Sequence, residues 1–380
     1  MSEADGRVLP ALDTFPGLVL ALTALSGELP AALVSRLPAS DTYKEYAVKR
    51  LKRDNLLRTF YRNGVRGLRL TAAAKRLLVE CWPDQFLPYL SGSTETNQLK
   101  SEITRRLRLH RMAEVLVSMY NAGVLMFPWE TPPVFGSALP PVGTSISQPS
   151  YYSSREVKEI GPQTVKIRGS RAAGVLLADS GVFSIYNTGA TQMKWAYKSE
   201  MRLKALLQME LCQNRFPDQF MNAQQCAIVF GTDMERLDTL MGADGGKPHN
   251  YFALDGSFDH FCFLTSDHKG EAILRLLCDP DLRETLDGIL TENLRPPNPD
   301  YPVENDGFED MKPVLFGYAC DMPRIRRFDT ALALRGERGL MICFDFQEDA
   351  LRRCCGPQIQ FQCLDFEACE RSVFLSTKSR

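Results

Sequence analysis

Seven residues near the N-terminus have the types and spacing to hold a polyanion. Tyr43, Tyr46, Lys49, Arg50 and Arg53 fall on one arc when the segment ASDTYKEYAVKRLKRDNLL is turned as a helix at about 100° per residue. Ala47, Val48 and Leu51 fall on the other side, so one face can bury while two aromatics and three cations face outward. Arg62 and Arg66 flank Asn63-Gly64, a dipeptide that favours a tight hairpin turn because both residues tolerate positive φ. Cations neutralise phosphates, and polar groups on a helix read base edges in the major groove. The chemistry implied is therefore binding of double-stranded DNA.

Other chemistries have less to stand on. The eleven cysteines contain no CxxC pair, and with only His110, His249, His260 and His268 there is no zinc-ligand spacing. Reduced thiols are expected. The glycine-rich 242–246 stretch lacks the lysine and hydroxyl residue of a phosphate loop, and no GxSxG elbow occurs. Asp259-His260 and Asp267-His268 flank an apolar run and read as solvated strand ends. A metal-dependent nuclease needs acids gathered on a hairpin to hold a divalent ion. In RAAGVLLADSGVFSIYNTG, Gly174 stands where the first acid is needed, and Ser184, Ile185, Tyr186 and Asn187 stand where an acid-x-Lys pattern is needed. That leaves Asp179 and Glu200 as an atypical pair. No catalytic residue, metal or cofactor is assigned.

The elements that must position the seven residues follow from punctuation and charge. The chain has 380 residues, 44% hydrophobic and 24% charged, which excludes a disordered chain or a coiled-coil rod. Its net charge of −1 hides zoning: Lys44 to Glu80 holds eleven basic residues against three acids, a local +8, so the remainder carries −9. Acids precede the first apolar stretch, so an export signal is not expected and a cytoplasmic location is. A helix from Phe15 to Leu25, a short one in GELPAALVSRL, the basic helix, strands at Leu56–Tyr61 and Gly67–Thr71, and a helix TAAAKRLLVECW make the order of a winged helix-turn-helix over 10–90. A helix over Asn97–Ala122, with Arg105, Arg106, Arg108 and Arg111 as a second basic cluster, reads as a bridge or a dimer face. Six prolines between 127 and 150 predict an extended linker or surface arm. From 151 to 380 a helix in YYSSREVKEIG precedes alternating strands and helices around a central sheet, giving an α+β chain with a mixed α/β second domain.

On the YAVKRLKRDNLLRTF…GLRLTAAAKRLL segment and the SRAAGVLLADSGVFSIYNTG hairpin, the chain resembles the replication-relaxation family of plasmids and integrative elements. The resemblance covers most of 10–290. It implies a DNA-associated accessory protein in plasmid replication, conjugative transfer or their regulation, with replication or relaxase proteins, or a second copy of the chain, as further partners. It also implies a second domain similar to a restriction-endonuclease-like fold, and the acids missing from this chain depart from the active nuclease pattern. The rival readings are the atypical nuclease and a winged-helix adaptor that docks another protein. No membrane partner is expected.

Overall fold

The computed structural model describes residues 8–91, 102–136, 139–140, 143–157, 169–246 and 251–374. His249, the start of the 97–122 helix and the end of the YYSSREVKEIG segment lie outside them. The chain divides into two compact units, Met1–Asn121 and Ala122–Arg380.

The first unit is built on α1 (Phe15–Ser26). Thr14 caps it by accepting from the Gly17 amide, Pro16 occupies its first turn, and Gly27 ends it at φ 80°. Ten of its residues, Gly17 to Ser26, are buried, so it runs through the middle of the unit. β1 (Leu29–Pro30) and a 3₁₀ turn (Ala31–Arg36) lead to α2 (Asp41–Arg53), capped by Ser40. β2 (Leu57–Arg62) and β3 (Val65–Leu70) form a hairpin around Asn63-Gly64, whose φ values of 52° and 75° fit a two-residue turn. The sheet order is β1-β3-β2, all antiparallel. α3 (Ala72–Cys81), α4 (Pro83–Leu90) and α5 (Ile103–Asn121) complete the unit. α5 is not a free bridge: Leu109, Ala113, Val115, Leu116, Val117 and Met119 are buried, and α5 packs on α1.

In the second unit, Ser150–Ser153 is a strand, β4, where the segment YYSSREVKEIG predicts a helix; among its described residues the turn α6 (Ser154–Val157) is helical. Tyr151 and Tyr152 are both buried, as aromatic residues of a packed strand are. β5 (Gly174–Ala178), β6 (Gly181–Gly189), α7 (Tyr197–Leu206, continued by wider turns to Arg215), α8 (Pro217–Phe220), β7 (Gln225–Gly231), α9 (Glu235–Met241) and β8 (His260–Thr265) follow. They make a five-stranded sheet, β4-β5-β6-β7-β8, antiparallel from β4 to β6 and parallel from β6 to β8. β5 and β7 are buried along their whole length, which is why they read as unbroken apolar runs.

A second sheet replaces the single central one expected. After α10 (His268–Cys278) and α11 (Pro280–Thr291) come β9 (Gly307–Glu309), β10 (Lys312–Phe316), α12 (Met322–Arg335), β11 (Gly339–Phe344), α13 (Glu348–Cys354), β12 (Ile359–Leu364) and α14 (Phe366–Cys369). The order is β12-β11-β10-β9, with only β9 antiparallel. One core joins the two sheets: Tyr186, Val229 and Phe261 share it with Phe328 of α12 and Leu315 and Met341 of the second sheet. The proline-rich stretch is part of the packing. Val134 and Ile146 are buried beneath α7 and α8, Arg215 donates to the Val134 and Gly136 carbonyls, and Gln219 bonds Ile146 on both its N–H and C=O.

Gly67 fixes how closely the hairpin approaches the link after α1. A Cβ there would sit 2.2 Å from the Glu28 Oε1 atom. Gly67→Ala is expected to destabilise the first unit by about 1–3 kcal/mol, as overpacking does. Urea unfolding and amide exchange of β2 and β3 measure it; unchanged protection would contradict this packing.

Candidate nucleic-acid interface

All seven predicted residues lie at the surface. On α2, Tyr43 is 43% and Tyr46 54% exposed, while the Lys49, Arg50 and Arg53 side chains are 78%, 57% and 72% exposed. Ala47 and Leu51 face inward as expected, Val48 is only half-buried, and Lys44 joins the inward face. The Tyr43 ring leans on Phe15, 5.7 Å between centroids, which limits its freedom. Three of these cations have acidic neighbours, all local to the helix and its cap: Lys49 with Glu45 at 3.1 Å, Arg50 with Asp54 at 3.6 Å and Arg53 with Asp54 at 3.4 Å. Exposed pairs of this kind contribute about 0–1 kcal/mol, so a phosphate can displace them.

The hairpin divides its residues between two faces. Its register pairs Tyr61 with Arg66 and Arg62 with Val65, and successive residues on a strand point to opposite sides. Tyr61 and Arg66 therefore share the face of Leu57, Leu68 and Leu70, which packs on α2. Arg62 shares the other face with Arg58, Phe60 and Arg69. Arg62 and Arg66 thus leave the tip from opposite faces of the hairpin. Among the described residues Arg58, Arg62 and Arg66 make no ion pair. Arg66 and Arg58 crowd other cations instead: burial and then the nearby Arg66 charge lower the Lys52 pKa, and burial followed by Arg58 and Arg69 lowers that of Lys75.

Two of the eleven cations counted toward the +8 point inward. Lys44 is buried, with its ammonium donating to the Ser35 carbonyl at 2.7 Å and to Asp41 at 3.1 Å. Arg69 is buried against Glu28 at 2.6 Å. Arg106, expected in a surface cluster on α5, is wholly buried and also bonds Glu28 at 2.6 Å. His110 Nε2 completes the group at 2.8 Å from Glu28. The Phe60 ring lies under both guanidiniums, 3.8 Å from Arg69 and 4.6 Å from Arg106. Reasoning from spacing misses this cluster. The available signal is one acid, Glu28, set inside the apolar run LVLALTALSGELPAALV.

The second unit uses its candidate groups structurally. Asp179 sits exposed in the β5–β6 turn, whereas Glu200 is wholly buried and accepts from Ser170 Oγ and the Arg171 amide at 2.7 Å and from Tyr186 Oη at 3.1 Å. Tyr186 lies five residues along β6 from Gly181, roughly 17 Å at 3.3 Å per residue, so the two acids are not neighbours. Burial raises the Glu200 pKa against the hydrogen bonds that lower it, and burial with the adjacent Glu200 raises Tyr186. Asp267 caps α10 by accepting from Gly270, His268 packs on Phe366, and His260 Nδ1 lies 2.6 Å from Asp321. All eleven cysteines are free, and burial raises the pKa of most of them. Among the described residues no three His, Cys, Asp or Glu side chains converge as metal ligands, and no helix is long and apolar enough to cross a membrane.

No family model matches the chain, and no curated protein or solved structure matches it.

Glu28 gives the first unit a defined acid sensitivity. Burial pushes its carboxyl up, but hydrogen bonds from His110, Arg106 and Arg69 outweigh that and hold it at about 2, below the ordinary 4.5. A lowered carboxyl stabilises the fold fully above its unfolded value, and the contribution is lost as pH falls through the folded one. Stability of the first unit is therefore expected to decline from about pH 4.5 toward pH 2, by about 3 kcal/mol in total. Glu28→Gln should be destabilised by about 3–5 kcal/mol at neutral pH and lose this acid dependence. Urea unfolding at pH 6, 4 and 3 tests it; parallel pH curves for both proteins would contradict it.

Proposed function

We propose that the first unit is a winged helix-turn-helix domain that binds double-stranded DNA. α2 enters the major groove with Tyr43, Tyr46, Lys49, Arg50 and Arg53, and the β2–β3 hairpin reaches the flanking backbone with Arg62 and Arg66. One observation carries the reading: α2 and the hairpin expose cations that meet other cations, or only weak local acids, while the chain elsewhere is net negative. A phosphate backbone relieves that repulsion. The element order α1-β1-3₁₀-α2-β2-β3 with a three-stranded sheet supports the same domain type.

The resemblance carried by the basic helix and the second-unit hairpin extends the proposal to a cytoplasmic accessory protein of a mobile element, acting in replication, conjugative transfer or their regulation. The second unit is then a nuclease-like body without catalytic acids, whose buried Glu200 holds loop 170–171 against β6. Neither the nuclease nor the adaptor reading gains a specific observation.

Arg50→Glu with Arg53→Glu is expected to weaken binding to a mixed-sequence duplex and to flatten the slope of log affinity against log salt by about 0.9 for each phosphate no longer neutralised. Fluorescence anisotropy at several salt concentrations measures both. Wild-type protein that leaves the duplex free at low salt, or a double variant that binds unchanged, would overturn the proposal.

A further inference from the structure

The geometry points to Arg106 as the positioning residue of the DNA-gripping hairpin, an inference that rests on the DNA-binding reading. Among the described residues, the outer half of the hairpin has no third strand beside it. β1 pairs with β3 only at Leu68 and Gly67, so Val65 and Arg66 pair with Arg62 and Tyr61 alone. A two-stranded hairpin without further support is marginal in water. Arg106 supplies the support from α5, 41 residues beyond Val65. Its Nη1 donates to the Arg62 carbonyl at 3.0 Å, and its Nη2 donates to the Val65 carbonyl at 3.1 Å and the Phe60 carbonyl at 3.3 Å. The Arg62 and Val65 carbonyls bracket the Asn63-Gly64 tip.

The rest of the guanidinium is fixed from behind. Nε and Nη2 reach Glu28, at 3.2 Å and 2.6 Å, and the Phe60 ring covers the plane. The side chain is fully buried, so it touches no DNA itself. It sets the direction in which the tip projects, and with it which backbone Arg62 and Arg66 can reach from their opposite faces. The function needs a planar fork. A lysine carries the charge for Glu28 but has one nitrogen, which cannot serve a carboxylate and three carbonyls together.

The test is a double-mutant cycle on the full-length protein. Arg106→Lys, Arg62→Ala with Arg66→Ala, and the triple variant are compared for affinity and salt slope on one duplex, well below each melting temperature. The expected result is that Arg106→Lys loses the same salt slope as the Arg62/Arg66 pair and causes no further loss when combined with it. Arg106→Lys that binds like wild type, or a loss that adds in full to that of the pair, would overturn the inference, because a general loss of fold acts in both backgrounds. If the lysine variant does not fold, Arg106→Gln combined with Glu28→Gln, which removes the buried charge together with its partner, carries the same comparison. Wild-type protein that leaves the duplex free at low salt would instead defeat the DNA reading, whatever Arg106 does.

Discussion

A single buried carboxylate organises the first unit. Glu28 is closed off from solvent, and an ionised carboxylate in such a place is costly unless cations and donors surround it. Arg69, Arg106 and His110 do so, from β3 and from α5. Each partner brings its own element along. Arg69 ties β3 to the link after α1, Gly67 leaves the gap that the carboxylate fills, and Arg106 docks α5 against the end of the hairpin. Removing one partner leaves a buried charge uncompensated, so the group stands or falls together. Such clusters add little net stability compared with an apolar core. What this one does is fix one arrangement of three elements.

That arrangement sorts the cations. Of the basic residues between Lys44 and Glu80, Lys44 and Arg69 lie inside on a backbone carbonyl and on Glu28, while Arg58, Arg62 and Arg66 lie outside with no ion pair among the described residues. Glu28 thus takes Arg69 out of the outward field of the hairpin and leaves Arg58, Arg62 and Arg66 in it. One acid accepts Arg69 and Arg106, and none is placed to neutralise Arg58, Arg62 or Arg66 among the described residues. The weak pairs made by Glu45 and Asp54 on α2 hold side chains in place without cancelling their charge over distance.

Signals in the sequence are legible where local physics decides the structure. Ser40 as a cap, Asn63-Gly64 as a turn, Pro16 in a first turn and the amphipathic split of α2 all depend on neighbours within a few residues, and the structure has each of them. Tyr151 and Tyr152 escape such a reading because Ser153-Ser154 resembles a helix cap, whereas pairing with Val175 and Leu176 is what sets them in a strand. Lys44 and Arg106 look like surface charge because their type says surface. Their partners, the Ser35 carbonyl and Glu28, lie 9 and 78 residues away, and only the folded chain brings them together. The same limit applies to the hairpin. Spacing puts Arg62 and Arg66 beside one turn, but register puts them on opposite faces.

The two units use their buried acids in similar ways. Glu200 is to β6 what Glu28 is to β3: a carboxylate beneath a strand that gathers donors from a distant segment, here Ser170, the Arg171 amide and Tyr186. The difference lies in the donors. Glu28 meets two guanidiniums and is held ionised, whereas Glu200 meets a hydroxyl, an amide and a phenol, and its burial prevails. A carboxylate that burial pushes toward its neutral form is a poor ligand for a divalent cation, which needs the charge. An acid engaged by three donors also has few lone pairs left to offer. For Glu200 to act on a metal, Ser170 and Tyr186 would first have to turn away, and the core that contains Tyr186, with Trp195 and Phe261 packed on its ring, resists that movement.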